Sequence, residues 1–453
     1  MFRPEKPEIL GILAFDTAKS MSRLISLYKS LADEEMWRLR KEVIGGRGVS
    51  FLTSQDDGFL LTLACAERLE DLDRAVTAVS WLGQRCSDYA LVRFGQVYKD
   101  LKNGRMDMQK LNSYGSKDTE KSIEKMDKFM SLTAQLYTEL EELTQMEASE
   151  RRMIEWRISH CDHHNTNYAF FEHKILNQRK LVRHLKEISL WNQSYDKIVG
   201  IMAKVVCVLY VRICTLYQPY ISILPSNKTQ NNNNRVIHQK LFSDPAPKIT
   251  MSGPIEGQGP KRVPLVRFLN VKLKLGMRHH LNNTNLVNHN NKVFQAAPPS
   301  TVGGSGLAAR YANVVLLAEK YLNTETLIGD QARQNLYNML PSSLKAYVRS
   351  KLKVAWKQIE DQRCDDDELA EGWRKAVEDM LAWLVPVAQD TVTWQAERNM
   401  EKQRFDSKPT VLLLQTLHYA DLEKTEAALA EVLVGLSCIY LYENRRISSF
   451  DIY

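Results

Sequence analysis

The feature that most constrains the fold of this chain is a stretch of 84 residues, 116–199, without glycine or proline. These two residues interrupt helices most readily, so their absence over such a length favours long α-helices. Six apolar residues in its first half recur every three or four positions, as in a helical packing seam: Phe129, Leu132, Leu136, Leu140, Leu143 and Met146. One unbroken helix would be about 125 Å long at about 1.5 Å per residue. We therefore expect a break at 159–167, and predict a long helical hairpin or coiled-coil section over 116–224.

The residues before this stretch, 1–104, predict a helical N-terminal module. Four apolar residues occupy positions i, i+3, i+4 and i+7 on one helical face: Met21, Leu24, Ile25 and Tyr28. Three acids at 33–35 favour the start of a second helix, because carboxylates are stabilised near a positive helix N-terminus. Asp56 or Asp57 is the candidate N-cap of a third.

The last third of the chain, 301–453, predicts a C-terminal helical module. Glycines at 303, 304 and 306 precede a helical pattern, as in some phosphate-binding turns, but no strand precedes them and no Gly-Lys-Ser/Thr follows. We interpret them as the start of a helix capped by Ser305. Further helices are expected near 330–340, 342–357, 368–395 and 409–443. No convincing strand pattern occurs, so the predicted fold class is all-α, with two helical modules, the hairpin section and a linker.

The linker is predicted from the charge distribution. Residues 225–300 contain eleven Lys/Arg and two acids, a charge of +9, whereas the whole chain carries +7, so the remainder carries −2. The same residues hold eight of the fourteen prolines and two asparagine-rich runs. Proline removes backbone donors and asparagine competes for local backbone bonds. We expect a basic, mostly disordered linker.

A basic segment within the linker, 261–280, has six Lys/Arg and no acid, interleaved with apolar residues. Its candidate contact residues are Lys261, Arg262, Arg267, Lys272, Lys274 and Arg278. This pattern suits an anionic lipid surface, a nuclear import receptor, an acidic protein or nucleic acid. Nucleic acid ranks last, since no nucleic-acid-reading motif accompanies the segment. A solvated linker without a partner is an equally weighted alternative.

Cysteine usage and hydropathy indicate a reducing compartment. The seven cysteines are odd in number and form no C-x-x-C pair, and residues 1–7 lack the apolar region of a secretory signal. The most apolar stretch, 198–217, is interrupted by Lys204 and Arg212, so we expect a buried helix in a soluble protein. Phe2 stands where N-myristoylation requires glycine, so this lipid anchor is not expected.

Residues with catalytic or metal-binding chemistry form no recognisable constellation. The sequence contains no H-E-x-x-H, no G-x-S-x-G and no kinase signature set. Metal-ligand residue types cluster once, at His160, Cys161, His163, His164 and His173, and without a second group at ligand spacing this cluster is interpreted as a histidine-rich hairpin tip. We predict no catalytic, cofactor-binding or metal site.

Six separated segments carry a resemblance to a known family. They read GILAFDTAKSMSRLISLYKSL (11–31), FLLTLACAE (59–67), SLWNQSYDKIV (189–199), GGSGLAARYANV (303–314), LYNMLPSSL (336–344) and VLLLQTLHYADLEKTEA (411–427). In this order they resemble the plant phytosulfokine-simulator family, whose two modules are domains of unknown function. The resemblance implies a plant regulator without enzymatic activity, linked to growth, phytosulfokine signalling and the nucleus.

Together these observations predict a helical adaptor that acts through protein partners in plant growth, peptide-hormone or stress signalling. The hairpin section would supply a surface for partners or self-association, and the basic segment an address. The expected location is the nucleus or the cytoplasm. The alternative is a peripheral membrane protein, located at the plasma membrane, that binds anionic lipid through 261–280.

Overall fold

The computed structural model describes residues 8–105, 116–160, 166–221, 292–324, 330–361, 366–398, 408 and 410–450. Among these residues the regular structure is helical, and β pairing is confined to two isolated bridges, Ile9–Ser194 and Thr301–Asp421. The predicted all-α class is confirmed.

Ten α-helices occupy the described residues before the basic segment. They are α1 (Ala14–Ser30), α2 (Asp33–Arg38), α3 (Arg47–Leu52), α4 (Asp57–Gly83), α5 (Tyr89–Val92), α6 (Phe94–Lys102), α7 (Ser116–His160), α8 (Thr166–Ile188), α9 (Tyr195–Leu216) and α10 (Gln218–Ile221). Short 3-10 turns precede α1 and follow α8, and a π-helical turn, Leu39–Val43, follows α2.

Six more α-helices occupy the described residues after it. They are α11 (Lys292–Gln295), α12 (Ala308–Leu322), α13 (Asp330–Met339), α14 (Ser342–Asp361), α15 (Asp366–Arg398) and α16 (Leu422–Phe450).

Local sequence signals explain several helix starts. The Asp56 carboxylate accepts hydrogen bonds from the N–H groups of Gly58 and Phe59, at 2.8 and 3.3 Å, which confirms the predicted N-cap of α4. Helix α2 begins at the first of the three acids. On α1, Met21, Leu24 and Ile25 are fully buried, which confirms its predicted apolar face.

Two expected helix starts are wrong. Ser305 does not cap α12, since its hydroxyl donates to the Val302 carbonyl and the helix begins three residues later. The last helix begins at Leu422 and not near 409, because the backbone before it adopts an extended and 3-10 course. In that segment, side chains and not helix turns satisfy the backbone N–H groups of Leu412, Leu413 and Leu417.

Helices α7 and α8 pack as an antiparallel hairpin, as predicted. Leu136 of α7 and Val182 and Leu185 of α8 are buried between them, with Leu132, Leu140 and Leu143 beside them. The Arg179 guanidinium lies 3.2 Å from Glu147 and 3.0 Å from Glu150 across the pair. The break at 161–165 lies outside the described residues.

Two hydrophobic cores hold the remaining helices, and each takes residues from both ends of the chain. The first is built mainly from α1, α4 and α9, yet it includes Trp394, Leu413 and Tyr419. The second is built mainly from α12, α14, α15 and α16, yet it includes Leu52 of α3. At Gly48 of α3, a Cβ atom would overlap the backbone of α15, so this glycine permits close helix packing.

Two helix segments, Tyr195–Leu216 and Leu422–Tyr442, are long and apolar enough to cross a membrane. Of their most apolar 18-residue windows, 50% and 61% respectively lie buried inside the fold. Such burial is typical of core helices, as expected for α9 from its two cations. One of these, Arg212, donates to the Leu31 carbonyl at 2.8 Å.

Candidate functional site: a buried junction between the two ends of the chain

Helix α4 carries two carboxylates into the fold at positions i and i+4. Glu67 follows the apolar run 59–66 and is only 2% exposed, and Asp71 lies one turn further on the same face. A buried carboxylate is costly unless it is paired and hydrogen-bonded. The partners of these two residues therefore identify a point at which the fold is highly specified.

The partners come from the end of α15, more than 300 residues away in sequence. The Arg398 guanidinium contacts Glu67 at 2.9 Å and both oxygens of Asp71 at 2.5 and 3.1 Å. The indole N–H of Trp394, one turn earlier, donates to Glu67 at 2.9 Å. A planar guanidinium with several donors is suited to bind two carboxylates at once.

Burial and charge act in opposite directions on these groups. Burial raises the pKa of Glu67, although Arg398 and two further donors partly offset it. Burial would also raise the pKa of Asp71, but the guanidinium groups of Arg398 and Arg74 outweigh it and lower that pKa. We therefore assign Asp71 as the ionised partner of Arg398, with Glu67 as the carboxyl that is harder to ionise.

The segment 410–421 completes the enclosure of α4. The Leu413 N–H donates to the second oxygen of Glu67 at 2.7 Å, and the Arg68 guanidinium donates to the Thr410 hydroxyl at 2.6 Å. Glu397 accepts the Val411 N–H at 3.2 Å, and burial raises the pKa of this carboxyl to about 7. These bonds explain why 410–421 is ordered without being helical.

A stacked aromatic group holds the residues that follow the basic segment. The Phe294 ring lies between the rings of Trp394 and His418, with centroid distances of 5.4 and 4.1 Å. The Val293 N–H donates to Glu70 at 2.9 Å, and the Phe294 carbonyl lies 2.9 Å from His418 Nε2. Residues 292–300 were expected to belong to the linker. They are instead part of the fold, because ring stacking and backbone bonds hold them against α4 and 410–421.

The glycine turn expected to start α12 also serves this contact. The Gly303 N–H donates to the His418 carbonyl at 2.9 Å, and a Cβ at Gly303 would overlap the His418 ring and carbonyl. The turn therefore allows close backbone approach, and we name the whole arrangement the junction. Its core residues are Glu67, Asp71, Phe294, Trp394, Arg398 and His418.

The predicted site residues lie elsewhere. All six basic candidates at 261–278 fall outside the described residues. Of the histidine-rich cluster, only His173 has a described side chain. It is exposed on α8, with Nδ1 3.1 Å from the Asn177 amide. Among the described residues, no group of three or more His, Cys, Asp or Glu could hold a metal ion.

The described cysteines are thiols, as expected from their number and spacing. Cys65, Cys86, Cys207, Cys214 and Cys438 are free of disulfides. Burial raises the pKa of Cys65 to about 12 and that of Cys438 to about 11. Protonated, buried thiols of this kind are inert packing groups.

Sequence reasoning missed the junction, although two signals pointed toward it. Glu67 and Arg68 interrupt the otherwise apolar start of α4, and charged residues at core positions need partners. Moreover, FLLTLACAE and VLLLQTLHYADLEKTEA, two of the segments on which the resemblance rests, meet there. Neither signal identifies Arg398 as the partner, because sequence spacing gives no information on contacts over 327 residues.

The comparisons define first a class of protein: an all-α chain built around two sequence domains of unknown function. Residues 12–68 match the family described as Domain of unknown function (DUF3475), and residues 301–393 match Protein of unknown function (DUF668). Trp394, Arg398 and His418 lie just beyond the second domain, and Glu67 lies at the end of the first. The junction is thus where the two domains meet in the fold.

The relatives are then particular plant proteins. The chain is 24% identical to Protein PSK SIMULATOR 1 of Arabidopsis thaliana, over 94% of this chain and 55% of that protein. It is 24% identical to PSK SIMULATOR 2 and 23% identical to PSK SIMULATOR 3, covering 58% and 56% of those proteins. The resemblance inferred from the six segments is confirmed. The chain spans little more than half the length of these relatives, and no solved structure matches it.

Chemically, the junction is suited to fastening. Glu67 accepts three hydrogen bonds, and Asp71 is bound on both oxygens by Arg398. The coordination of these carboxylates is therefore used within the protein. The consequence is mechanical, since α4, the end of α15, residues 292–297 and residues 410–421 are held together at one place.

Proposed function

We propose that this chain is a non-enzymatic plant regulator that promotes growth through phytosulfokine-type peptide-hormone and stress signalling, acting as an adaptor for other proteins. The observation that carries the proposal is its similarity to three PSK simulators along 94% of its length. The junction supports it structurally, because surfaces contributed by both domains can be presented to partners in a fixed relation.

The α7–α8 hairpin offers the adaptor a contact surface. Phe170, Leu181 and Ile188 are 77%, 36% and 37% exposed. Their spacings of 11 and 7 residues place them within about 20° on a helix. They form a stripe beside the face that packs on α7, and we name it the outer stripe of α8. An exposed apolar stripe next to a packed seam is suited to receive another helix.

The proposal is tested by rescue of plants that lack this gene and its close relatives. We expect reduced root growth in response to added phytosulfokine and rescue by the wild-type chain. A variant with Phe170, Leu181 and Ile188 changed to serine should accumulate normally but fail to rescue. Absence of a growth phenotype in the deletion line would contradict the signalling role.

A matched control changes three exposed apolar residues elsewhere to serine: Ile12, Trp37 and Val92. This control should rescue as the wild type does. If the stripe variant rescues equally well, the outer stripe is not the adaptor surface. Equal failure of both variants would show that the defect is general and would also contradict the assignment.

We further propose that the basic segment 261–280 acts as an address. The test changes Lys261, Arg262, Arg267, Lys272, Lys274 and Arg278 to glutamine in a tagged chain. A shift from nucleus to cytosol would support import, and loss from the plasma membrane would support the lipid-binding alternative. An unchanged distribution would contradict both.

A further inference from the structure

Helix α14 presents a second basic surface, independent of the segment at 261–280. Residues 342–358 contain five Lys/Arg and no acid: Lys345, Arg349, Lys351, Lys353 and Lys357. The whole chain carries only +7, so this is a dense concentration of charge for a folded helix. A cation-rich helix face creates a local field that attracts anionic surfaces.

The orientation of α14 is fixed by its inner face. Leu344, Val348 and Ala355 are buried as the helix packs on α16. The Lys351 ammonium contacts Glu431 of α16 at the edge of this face. At 100° per residue, the direction opposite the buried residues is occupied by Lys353 and its neighbours.

The outward direction forms a stripe of Arg349, Lys353 and Lys357 with small residues between them, all exposed. The Arg349 guanidinium also lies over the Tyr337 ring, 5.4 Å from its centroid. Among the side chains that the structure describes, no acidic group pairs with Lys353 or Lys357. Their charge is therefore available to a ligand.

Large apolar side chains border the stripe on both sides. Val354 is 58% exposed, Trp356 45% and Tyr347 40%, although each could have been replaced by a polar residue at no cost to packing. Trp and Tyr are enriched where one end of a side chain meets lipid and the other meets water. Lysine beside them can keep its ammonium at the headgroups while its stem covers apolar surface.

We propose that this face of α14, formed by Arg349, Lys353 and Lys357 with Tyr347, Val354 and Trp356, binds the surface of a membrane that contains anionic phospholipid. The helix lies flat, the cations contact headgroup phosphates and carboxylates, and the bordering apolar side chains enter the interface. The inference goes beyond the adaptor function and does not depend on it.

The residue types favour a lipid surface over the other anionic partners. Lysine, four of the five cations, is depleted at protein interfaces, where arginine is enriched. Nucleic-acid grooves are read by arginine, asparagine and glutamine, and α14 offers no such set on its outward stripe. A fluid surface of headgroups needs only charge density and interfacial aromatic residues, which this helix face combines.

The test is vesicle flotation with the purified full chain at 100 mM salt. Every protein carries the six glutamine substitutions in 261–280, so that α14 is measured alone. We expect binding to vesicles of phosphatidylcholine with 30% phosphatidylserine and none to phosphatidylcholine alone. Each Lys or Arg at such a surface contributes about five-fold in partitioning, so Arg349→Gln, Lys353→Gln and Lys357→Gln together should lower it by roughly 100-fold.

A charge-matched control removes three exposed cations of α8, at Lys174, Lys180 and Arg183, and should change partitioning less than three-fold. Trp356→Ser with Val354→Ser should weaken binding while retaining its salt dependence. Absence of binding in the six-glutamine background, or an equal loss in the α8 control, would overturn the proposal. So would tight binding of a duplex DNA or an acidic polypeptide with no binding of vesicles.

Discussion

Removing Arg398 tests the junction most severely, because it leaves two carboxylates without their main counter-charge. The side chains of Arg398, Glu67 and Asp71 are 18%, 3% and 17% exposed. Removing one partner of a buried ion pair typically costs about 3–5 kcal/mol. Trp394 and the Leu413 N–H still donate to Glu67, so we expect Arg398→Gln to cost about 3 kcal/mol, at the lower end of that range.

A matched control exists on the hairpin. Arg179 also contacts two carboxylates, Glu147 and Glu150, but its side chain is 40% exposed. Exposed pairs contribute about 0–1 kcal/mol because solvent screens them. Arg179→Gln should therefore cost less than 1 kcal/mol although it breaks the same number of ion pairs.

The assay is urea unfolding followed by circular dichroism, with the shift in midpoint multiplied by a common slope. The double variant Arg398→Gln with Asp71→Asn should recover about 1–2 kcal/mol of the loss, because one unpaired carboxylate is removed. The reasoning is refuted if Arg398→Gln costs no more than Arg179→Gln, or if the double variant is the least stable of the three.

Three further predictions concern other contacts. Phe294→Ala should lower the free energy of unfolding by about 2 kcal/mol, less than for a fully buried phenylalanine because the ring is 38% exposed; an unchanged urea midpoint would contradict the stacking role. Leu136→Ala in the hairpin core should cost about 3 kcal/mol, and Leu176→Ala on its exposed surface under 0.5 kcal/mol, by the same assay. The pKa of Glu397 is raised to about 7, so its contribution to stability is present below pH 4.5 and lost as the pH rises through 7. Glu397→Gln should therefore raise the thermal midpoint relative to wild type at pH 8 and not at pH 5, whereas an equal difference at both values would contradict the assignment.

The helices and the hairpin could be predicted because their signals are local. The seam at Leu136 and its neighbours repeats every three or four residues, and the Asp56 cap acts on residues two and three positions away. Such patterns reflect backbone geometry that each segment adopts in its own right.

The junction could not be predicted, because its contacts join residues far apart in sequence. Asparagine and proline content set the expected end of the linker at residue 300. Phe294 nevertheless belongs to the fold, because its ring stacks between Trp394 and His418. Ser305 likewise matched the composition of a cap, but the backbone turn at Gly303 directs its hydroxyl to Val302 instead. In both places a tertiary contact outweighs a local preference.

The central claim is that the two ends of the chain form one folded body fastened at the junction. It is tested most directly by inserting a specific protease site between residues 250 and 251, cleaving the purified chain, and measuring its size by gel filtration with light scattering in native buffer. We predict that the two pieces stay together and elute as one particle of about the uncleaved mass, 52.2 kDa. Separate elution of the two pieces from the cleaved wild-type chain would contradict the claim.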